Sequence, residues 1–423
     1  MVFVEFPHNL RNILSMEDLK NKDDFLKALR ALDARFEEME PELSVTLTDP
    51  EMGVEGYIVV WNTQISANGP LARMGKGGTR VTPSTTLDEV KMLARIMALK
   101  NAAAGLPLGG AKSGLKADSS TQDAEQKYKR FVELSKPYLH ENGGVFGGFG
   151  YDIGARPEMA KWAVETLGSG RSFTGKPIDM GGTDYDVEGI AGLGVAVAAK
   201  STLEHKKRTV AGSTFAVQGI GAMGAAVIRY FTEMGGTLKA VSDPRLGGSW
   251  FFTDGPPAGL VEMLGAGRIA PACALLESTN GHVTQPDSNA VLYAETDVLF
   301  PCAVQEVITA VNADRILAAV VCEGANNPVT DTARTLLDER DICVIPDFIA
   351  NPGGVIAAFV ELTSDIPDAD NFKTRAKVEA AKDMTRKRIA QNVKSVLNLS
   401  SLYSVRPTDA ARFIALSNIF NLS

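Results

Sequence analysis

Cysteine and histidine are scarce in this chain, and neither is arranged for metal or redox chemistry. The four cysteines, Cys273, Cys302, Cys322 and Cys343, contain no C-x-x-C pair and read as reduced interior residues of a cytosolic protein. The four histidines, His8, His140, His205 and His282, include no H-x-x-x-H or related spacing, so no histidine-built metal site is expected. No run of about 20 apolar residues occurs, and Glu5 and Arg11 interrupt the first residues where a signal peptide needs an apolar stretch. The expectation is a cytoplasmic protein, neither exported nor membrane-spanning. Basic residues are outnumbered, 43 Lys and Arg against 51 Asp and Glu, and a net charge of −8 is the wrong sign for tracking a phosphate backbone. Nucleic acid is excluded as a partner on that ground.

Apolar residues make up 45% and charged residues 22% of the 423, ordinary values for a globular chain. At roughly 150 residues per domain the length allows two or three domains. Forty glycines exceed the ~30 that average usage would supply. They cluster at 75–78, 109–114, 143–154, 181–182, 219–224 and 353–354, which predicts tight loops there.

From about 213 to 351, short β-branched runs alternate with helical patterns, as a helix-covered parallel sheet requires. The predicted strands are 214–220, 238–242, 298–301, 319–323 and 342–346. The fold class read from this is α/β in two domains. Residues 1–185 form a substrate-binding and oligomerisation domain and 186–355 a doubly wound dinucleotide-binding domain of Rossmann type. Residues 356–423 read as helices that pack back on the first domain.

The run Thr214-Phe-Ala-Val-Gln-Gly219-Ile-Gly221-Ala-Met-Gly224 leads a strand into G-x-G-x-x-G and then into an apolar helix. Gly219 allows the tight turn, Gly221 the approach of backbone to a pyrophosphate, and Gly224 close packing of helix on strand. A second strand ends in Asp243, 19 residues after Gly224, where an acid accepts hydrogen bonds from ribose hydroxyls. That favours NAD, while the nearby Arg245 keeps NADP open by offering a phosphate partner.

Residues 84–104 predict a helix opened by a capping box, Thr86 with Glu89, and carrying an apolar face of Val90, Leu93, Ile96 and Met97 that Lys100 continues. Lys112 follows in a glycine-rich loop, and Lys76 sits in a similar one. A lysine near another cation in a dry site loses proton affinity and becomes a base near neutral pH. Asp152, between Gly150 and Gly154, reads either as a proton relay or as a turn aspartate bonding its own backbone.

Together these segments resemble the glutamate/leucine/phenylalanine/valine dehydrogenases. The resemblance spans about residues 65–365 and rests on Gly75-Lys76-Gly-Gly-Thr-Arg80, on Lys100 to Gly114, on Thr174-Gly-Lys-Pro177 and on the cofactor fingerprint. It rests also on Cys322-Glu-Gly-Ala-Asn326-Asn-Pro328 and on Ile345-Pro-Asp-Phe-Ile-Ala-Asn351-Pro-Gly-Gly-Val355. It implies NAD(P)-dependent oxidative deamination of an L-amino acid, with ammonium and a 2-oxo acid as partners in the reverse direction. It implies two domains around a closing cleft, commonly in hexamers. By position, Lys100 holds the substrate α-carboxylate, Lys112 activates water, Asp152 moves protons, Asn326 lies beside the nicotinamide ribose, and no metal takes part.

Lys76 matches the lysine that binds the side-chain carboxylate in glutamate-specific members, which puts glutamate first. Ala358 stands where those members carry a serine, and Ala191 where a threonine is expected near the nicotinamide. These departures leave open an apolar or atypical amino acid as substrate, or a catalytically silent regulatory subunit.

Overall fold

The computed structural model describes residues 19–420 and divides the chain into two compact units. The first comprises the residues up to Asp184, Val355–Ala381 and the residues from Arg412; the second comprises Tyr185–Gly354 and Lys382–Ala411. No helix among the described residues is long and apolar enough to cross a membrane.

The first unit is built on a five-stranded sheet. Leu43–Asp49 pairs antiparallel with Val54–Trp61, which pairs antiparallel with Gly109–Lys116. Gly75–Lys76 and Thr79–Thr82 both run parallel to Gly109–Lys116. Alternation along Val54–Trp61 separates two cores. Tyr57, Val59 and Trp61 face Val90, Ala94 and Ala98, while Ile58 and Val60 face Tyr128, Phe131, Phe146 and Phe149.

The glycine clusters at 75 and 109 therefore form strands rather than the expected loops. The reason is close packing: a Cβ on Gly110 would lie 2.2 Å from the Ala98 nitrogen and 2.4 Å from the Ala94 oxygen. The helix Leu87–Ala103 thus rests backbone to backbone on the central strand. The same constraint corrects its expected apolar face. The buried stripe is Val90, Ala94, Ala98 and Ala102, while Leu93 and Met97 are half-buried and Ile96 is 50% exposed, because Ala94 and Ala98 stand where the backbone of Gly110 comes closest to the helix.

The second unit carries a seven-stranded sheet in the order 282–285, 248–252, 237–243, 214–218, 298–301, 320–322, 343–345. The last five are mutually parallel, and the first two form an antiparallel edge that the sequence pattern did not reveal. Phe231, on the helix Ala222–Glu233, meets Phe215 and Phe300 edge to face, each at 5.1 Å.

The carboxyl-terminal helices do not all join the first unit as expected. Ala376–Tyr403 has 28 residues, about 42 Å of helix, and from Lys382 onward it belongs to the second unit. There Lys382 Nζ pairs with Glu188 Oε2 at 2.8 Å, and Arg406 Nη1 donates to Thr335 Oγ1 at 2.7 Å. Three of the four cysteines are buried, Cys273 is half-buried, and all are free.

The flush contact predicts that Gly110→Ala destabilises the protein by about 1–3 kcal/mol, the usual range for overpacking. Denaturant melting would measure it, and an unchanged midpoint would refute backbone contact between helix and strand.

Candidate active site

Lys112 lies in the middle of the strand Gly109–Lys116, and Arg80 stands on the adjacent parallel strand, in register with Gly114. The segment carrying Asp152 runs beside that strand: the Val81 N–H donates to the Ile153 oxygen at 3.0 Å. Gly78 permits the approach, since a Cβ there would come within 2.6 Å of the Tyr151 oxygen. Sheet register and one glycine thus bring two cations to one carboxylate. Lys112 Nζ and Arg80 Nε each lie 3.0 Å from Asp152 Oδ2, and Arg80 Nη1 reaches Glu89 Oε1 at 2.6 Å.

This cluster is largely desolvated, with side-chain exposures of 7% for Lys112, 14% for Arg80 and 21% for Asp152. Burial pushes the Lys112 ammonium below the usual lysine range, and Arg80 adds repulsion, against the opposing pull of Asp152. Burial would raise the Asp152 carboxyl, but Lys112 and Arg80 outweigh it and hold the group below the usual carboxylate range. The pairing answers the open reading of Asp152: its side chain serves the charge cluster and not its own turn.

Lys76 is 2% exposed, and its ammonium donates to three carbonyl oxygens, Gly77 at 2.9 Å, Gly148 at 3.1 Å and Phe149 at 2.8 Å. All three of its donors are occupied, a setting that the expected carboxylate-binding role did not foresee. Burial pushes it down to about 7, with help from Lys176 and Lys112 and against Glu361. Lys176 and Glu361 form a second buried ion pair. Glu361 also accepts from the Gly175 N–H at 3.0 Å and from Thr183 through its N–H and hydroxyl, both at 3.1 Å. Lys100 is half-buried in the last turn of the helix Leu87–Ala103, where the next residue, Asn101, donates to the oxygens of Lys76 and Gly109.

In the second unit the strand Thr214–Gln218 ends at Gly219, whose φ of +86° favours glycine. A Cβ on Gly224 would lie 1.8 Å from the Gly219 oxygen, so the third glycine of the motif is fixed by packing. Gly221 caps the helix Ala222–Glu233 and has nothing within 4 Å of its Cβ position, so the helix mouth is open to an anion. A cavity of about 300 Å³ lies there, lined among others by Gly221, Ala222, Arg229 and Arg245.

Asp243 is not a free acceptor. Its Oδ2 takes the Ile220 N–H at 2.8 Å, and Arg245 donates to Oδ1 through its N–H at 3.0 Å and Nε at 2.8 Å. Arg245 hydrogen bonds, more than any other cause, hold the Asp243 carboxyl down at about 2. Asn326 follows the strand Val320–Cys322. Asn351 donates to the Gly324 oxygen at 3.0 Å and to Asn326 Oδ1 at 3.4 Å, while its own buried Oδ1 has no protein partner.

The structure thus joins Lys112 with Asp152, and Gly219, Gly221 and Gly224 with Asp243. It does not pair Lys76 with either member of the first couple. Sequence reasoning assigned no role to Arg80, Glu361, Lys176 or Asn351. Three of them stand inside motifs read above, and Glu361 could have been noticed as a lone acid in the apolar helix Gly353–Thr363.

Comparison with known proteins fits this arrangement. A family model described as Glutamate/Leucine/Phenylalanine/Valine dehydrogenase matches residues 181–423, and one described as Glu/Leu/Phe/Val dehydrogenase, dimerisation domain, matches 41–168. An NADP(+)-dependent glutamate dehydrogenase of Pyrobaculum calidifontis is 32% identical over 381 residues, 87% of this chain and 85% of its own. An NAD-specific glutamate dehydrogenase A of Halobacterium salinarum is 32% identical over 301 residues, 69% of this chain and 66% of its own. The hetero-hexameric glutamate dehydrogenase of Thermus thermophilus shares the fold, with a TM-score of 0.72 at 24% identity, covering 95% of each chain. The chain belongs to the glutamate/leucine/phenylalanine/valine dehydrogenase family.

Proposed function

We propose that this dehydrogenase catalyses the reversible NAD(P)-dependent oxidative deamination of L-glutamate to 2-oxoglutarate and ammonium. The ion pair of Lys112 with Asp152, 3.0 Å long and largely buried, carries the reading. It sets a lysine of lowered proton affinity beside a carboxylate that is ionised at rest and so able to accept a proton, the two groups that this chemistry needs.

The open mouth of the helix at Gly221 fits a dinucleotide. Gly219, Gly221 and Gly224 would hold its pyrophosphate, Asp243 with Arg245 its adenosine ribose, and Asn326 its nicotinamide ribose. When bound, the dinucleotide accepts hydride from the substrate α-carbon or returns it. Lys100 would hold the α-carboxylate. Asp152 takes a proton from the substrate ammonium, freeing the nitrogen lone pair to form the iminium as the α-hydrogen departs with its electron pair. Lys112 as the free base takes a proton from the water that attacks the iminium carbon, Asp152 returns a proton to the amine, and the carbon–nitrogen bond breaks as the carbinolamine hydroxyl becomes the carbonyl, its proton passing through water to the ammonia that leaves. The sum consumes glutamate, water and oxidised cofactor and yields 2-oxoglutarate, ammonium, reduced cofactor and one proton.

The glutamate relatives support the substrate, and so does the charge around Lys76, where two lysines face the single carboxylate of Glu361. A γ-carboxylate arriving there would replace a carbonyl as acceptor for Lys76. The dimerisation-domain match supports self-association, the hexameric Thermus neighbour is in keeping with a reading of six subunits, and a cytoplasmic location is part of the same reading, carried from the sequence.

Oxidation of NADH and NADPH with ammonium and a panel of 2-oxo acids tests the reading. Turnover is expected with 2-oxoglutarate, and turnover with apolar acids alone would refute it. Lys76→Leu should cut kcat/KM for 2-oxoglutarate roughly 10- to 150-fold, the worth of one charged hydrogen bond. An unchanged preference over 4-methyl-2-oxopentanoate would confine Lys76 to holding its three carbonyls.

Asp243 has its charge matched by Arg245, so it does not repel a 2′-phosphate as a bare carboxylate would. Arg245→Ala should therefore lower kcat/KM for NADPH at least ~10-fold more than for NADH. Equal losses for the two cofactors would remove Arg245 from phosphate recognition.

A further inference from the structure

The helix Leu87–Ala103 begins with half of its capping box. Thr86 Oγ1 accepts the Glu89 N–H at 3.2 Å, as the motif requires. The reciprocal bond would send the Glu89 carboxylate back to the Thr86 N–H. Instead that carboxylate lies 2.6 Å from Arg80 Nη1. A residue that local rules assign to the helix end has been given to Arg80, and such a conflict between local preference and structure marks a functional demand.

Arg80 has a planar fork, with Nε and Nη1 fixed relative to each other. With Glu89 holding Nη1, Nε is aimed at Asp152. Both cations that meet Asp152, Arg80 and Lys112, do so at Oδ2, so neither ion pair occupies Oδ1. Lys112 alone could not hold that orientation during turnover, since its flexible stem is the part that must exchange a proton with water.

Resting on the dehydrogenase reading above, we propose that Arg80, anchored by Glu89, is a positioning residue that fixes the Asp152 carboxylate and keeps a second cation beside Lys112. The groups acting on Lys112 are Asp152, Arg80 and Glu89, with Lys76 as a further like charge. Asp152 and Glu89 raise its proton affinity, while Arg80 lowers it. Removing the Arg80 charge therefore moves the Lys112 midpoint upward.

The test is competitive acetylation of the full-length protein by acetic anhydride across pH, with the Lys112 peptide quantified by mass spectrometry, beside pH profiles of kcat for L-glutamate deamination, the direction in which Lys112 acts as the base. In Arg80→Gln the Lys112 midpoint and the acid limb of kcat should both move to higher pH. Near neutral pH, kcat should fall at least ~10-fold, with a smaller change in KM. Arg80→Lys keeps the charge but loses the fork, so its midpoint should return towards wild type while kcat stays depressed. An unmoved midpoint in a folded Arg80→Gln overturns the proposal. Should that variant fail to fold, wild-type kcat in Arg80→Lys overturns it equally. The labelling needs no turnover, so a wild type silent towards every 2-oxo acid would refute the dehydrogenase reading while the labelling still decides the role of Arg80.

Discussion

One carboxylate oxygen, Asp152 Oδ2, is shared by two cations carried on neighbouring parallel strands of one sheet. Buried charges persist only when paired, and removing one partner of such a pair costs about 3–5 kcal/mol. The cluster of Lys112, Arg80, Asp152 and Glu89 carries two charges of each sign when its groups are ionised, so it is neutral as a set, and its least exposed cations, Lys112 and Arg80, depend most on their partners. That neutrality lets a lysine 5% exposed to solvent reside on a central strand. The same burial weakens its hold on a proton, and structure and chemistry therefore draw on a single electrostatic arrangement.

The geometry behind this set comes from backbone contact more than from side-chain volume. Gly110 lets the helix Leu87–Ala103 settle on the strand that bears Lys112, and Gly78 lets the Asp152 segment lie beside the strand that bears Arg80. The helix then delivers Glu89 to Arg80 at one end and carries Lys100 at the other. In the second unit Gly224 plays the corresponding part, bringing the helix onto the turn that leaves Gly221 open. In both units, small residues bring backbone close so that polar groups can be aimed.

Much of the second unit was legible in the sequence because each parallel strand is a short β-branched run closed by a turn signal, and periodicity detects local order of that kind. The edge pair 248–252 and 282–285 escaped because 282–285 is mostly exposed and polar, so burial leaves no pattern there. In the first unit, glycine density was read as loop, although the glycines at 109, 110 and 114 serve strand packing. Val90 was read rightly as buried, but the alanine stripe of the helix was passed over in favour of Leu93, Ile96 and Met97, which turn out half-buried or exposed. Lys112 and Asp152 were legible as candidates from their motifs. Their link through Arg80 and Glu89 was not, because the four residues come from segments that only the sheet brings together.

The central claim is that Lys112 and Asp152 act as one catalytic unit, and a double-mutant cycle on kcat measures this most directly. Lys112→Ala, Asp152→Asn and the double variant would be compared in 2-oxoglutarate amination, with cofactor binding as the check on folding. Groups that act as a unit are strongly non-additive. The account predicts that each single change costs nearly as much as both together. Losses that simply multiply in the double variant would show two independent residues and contradict it.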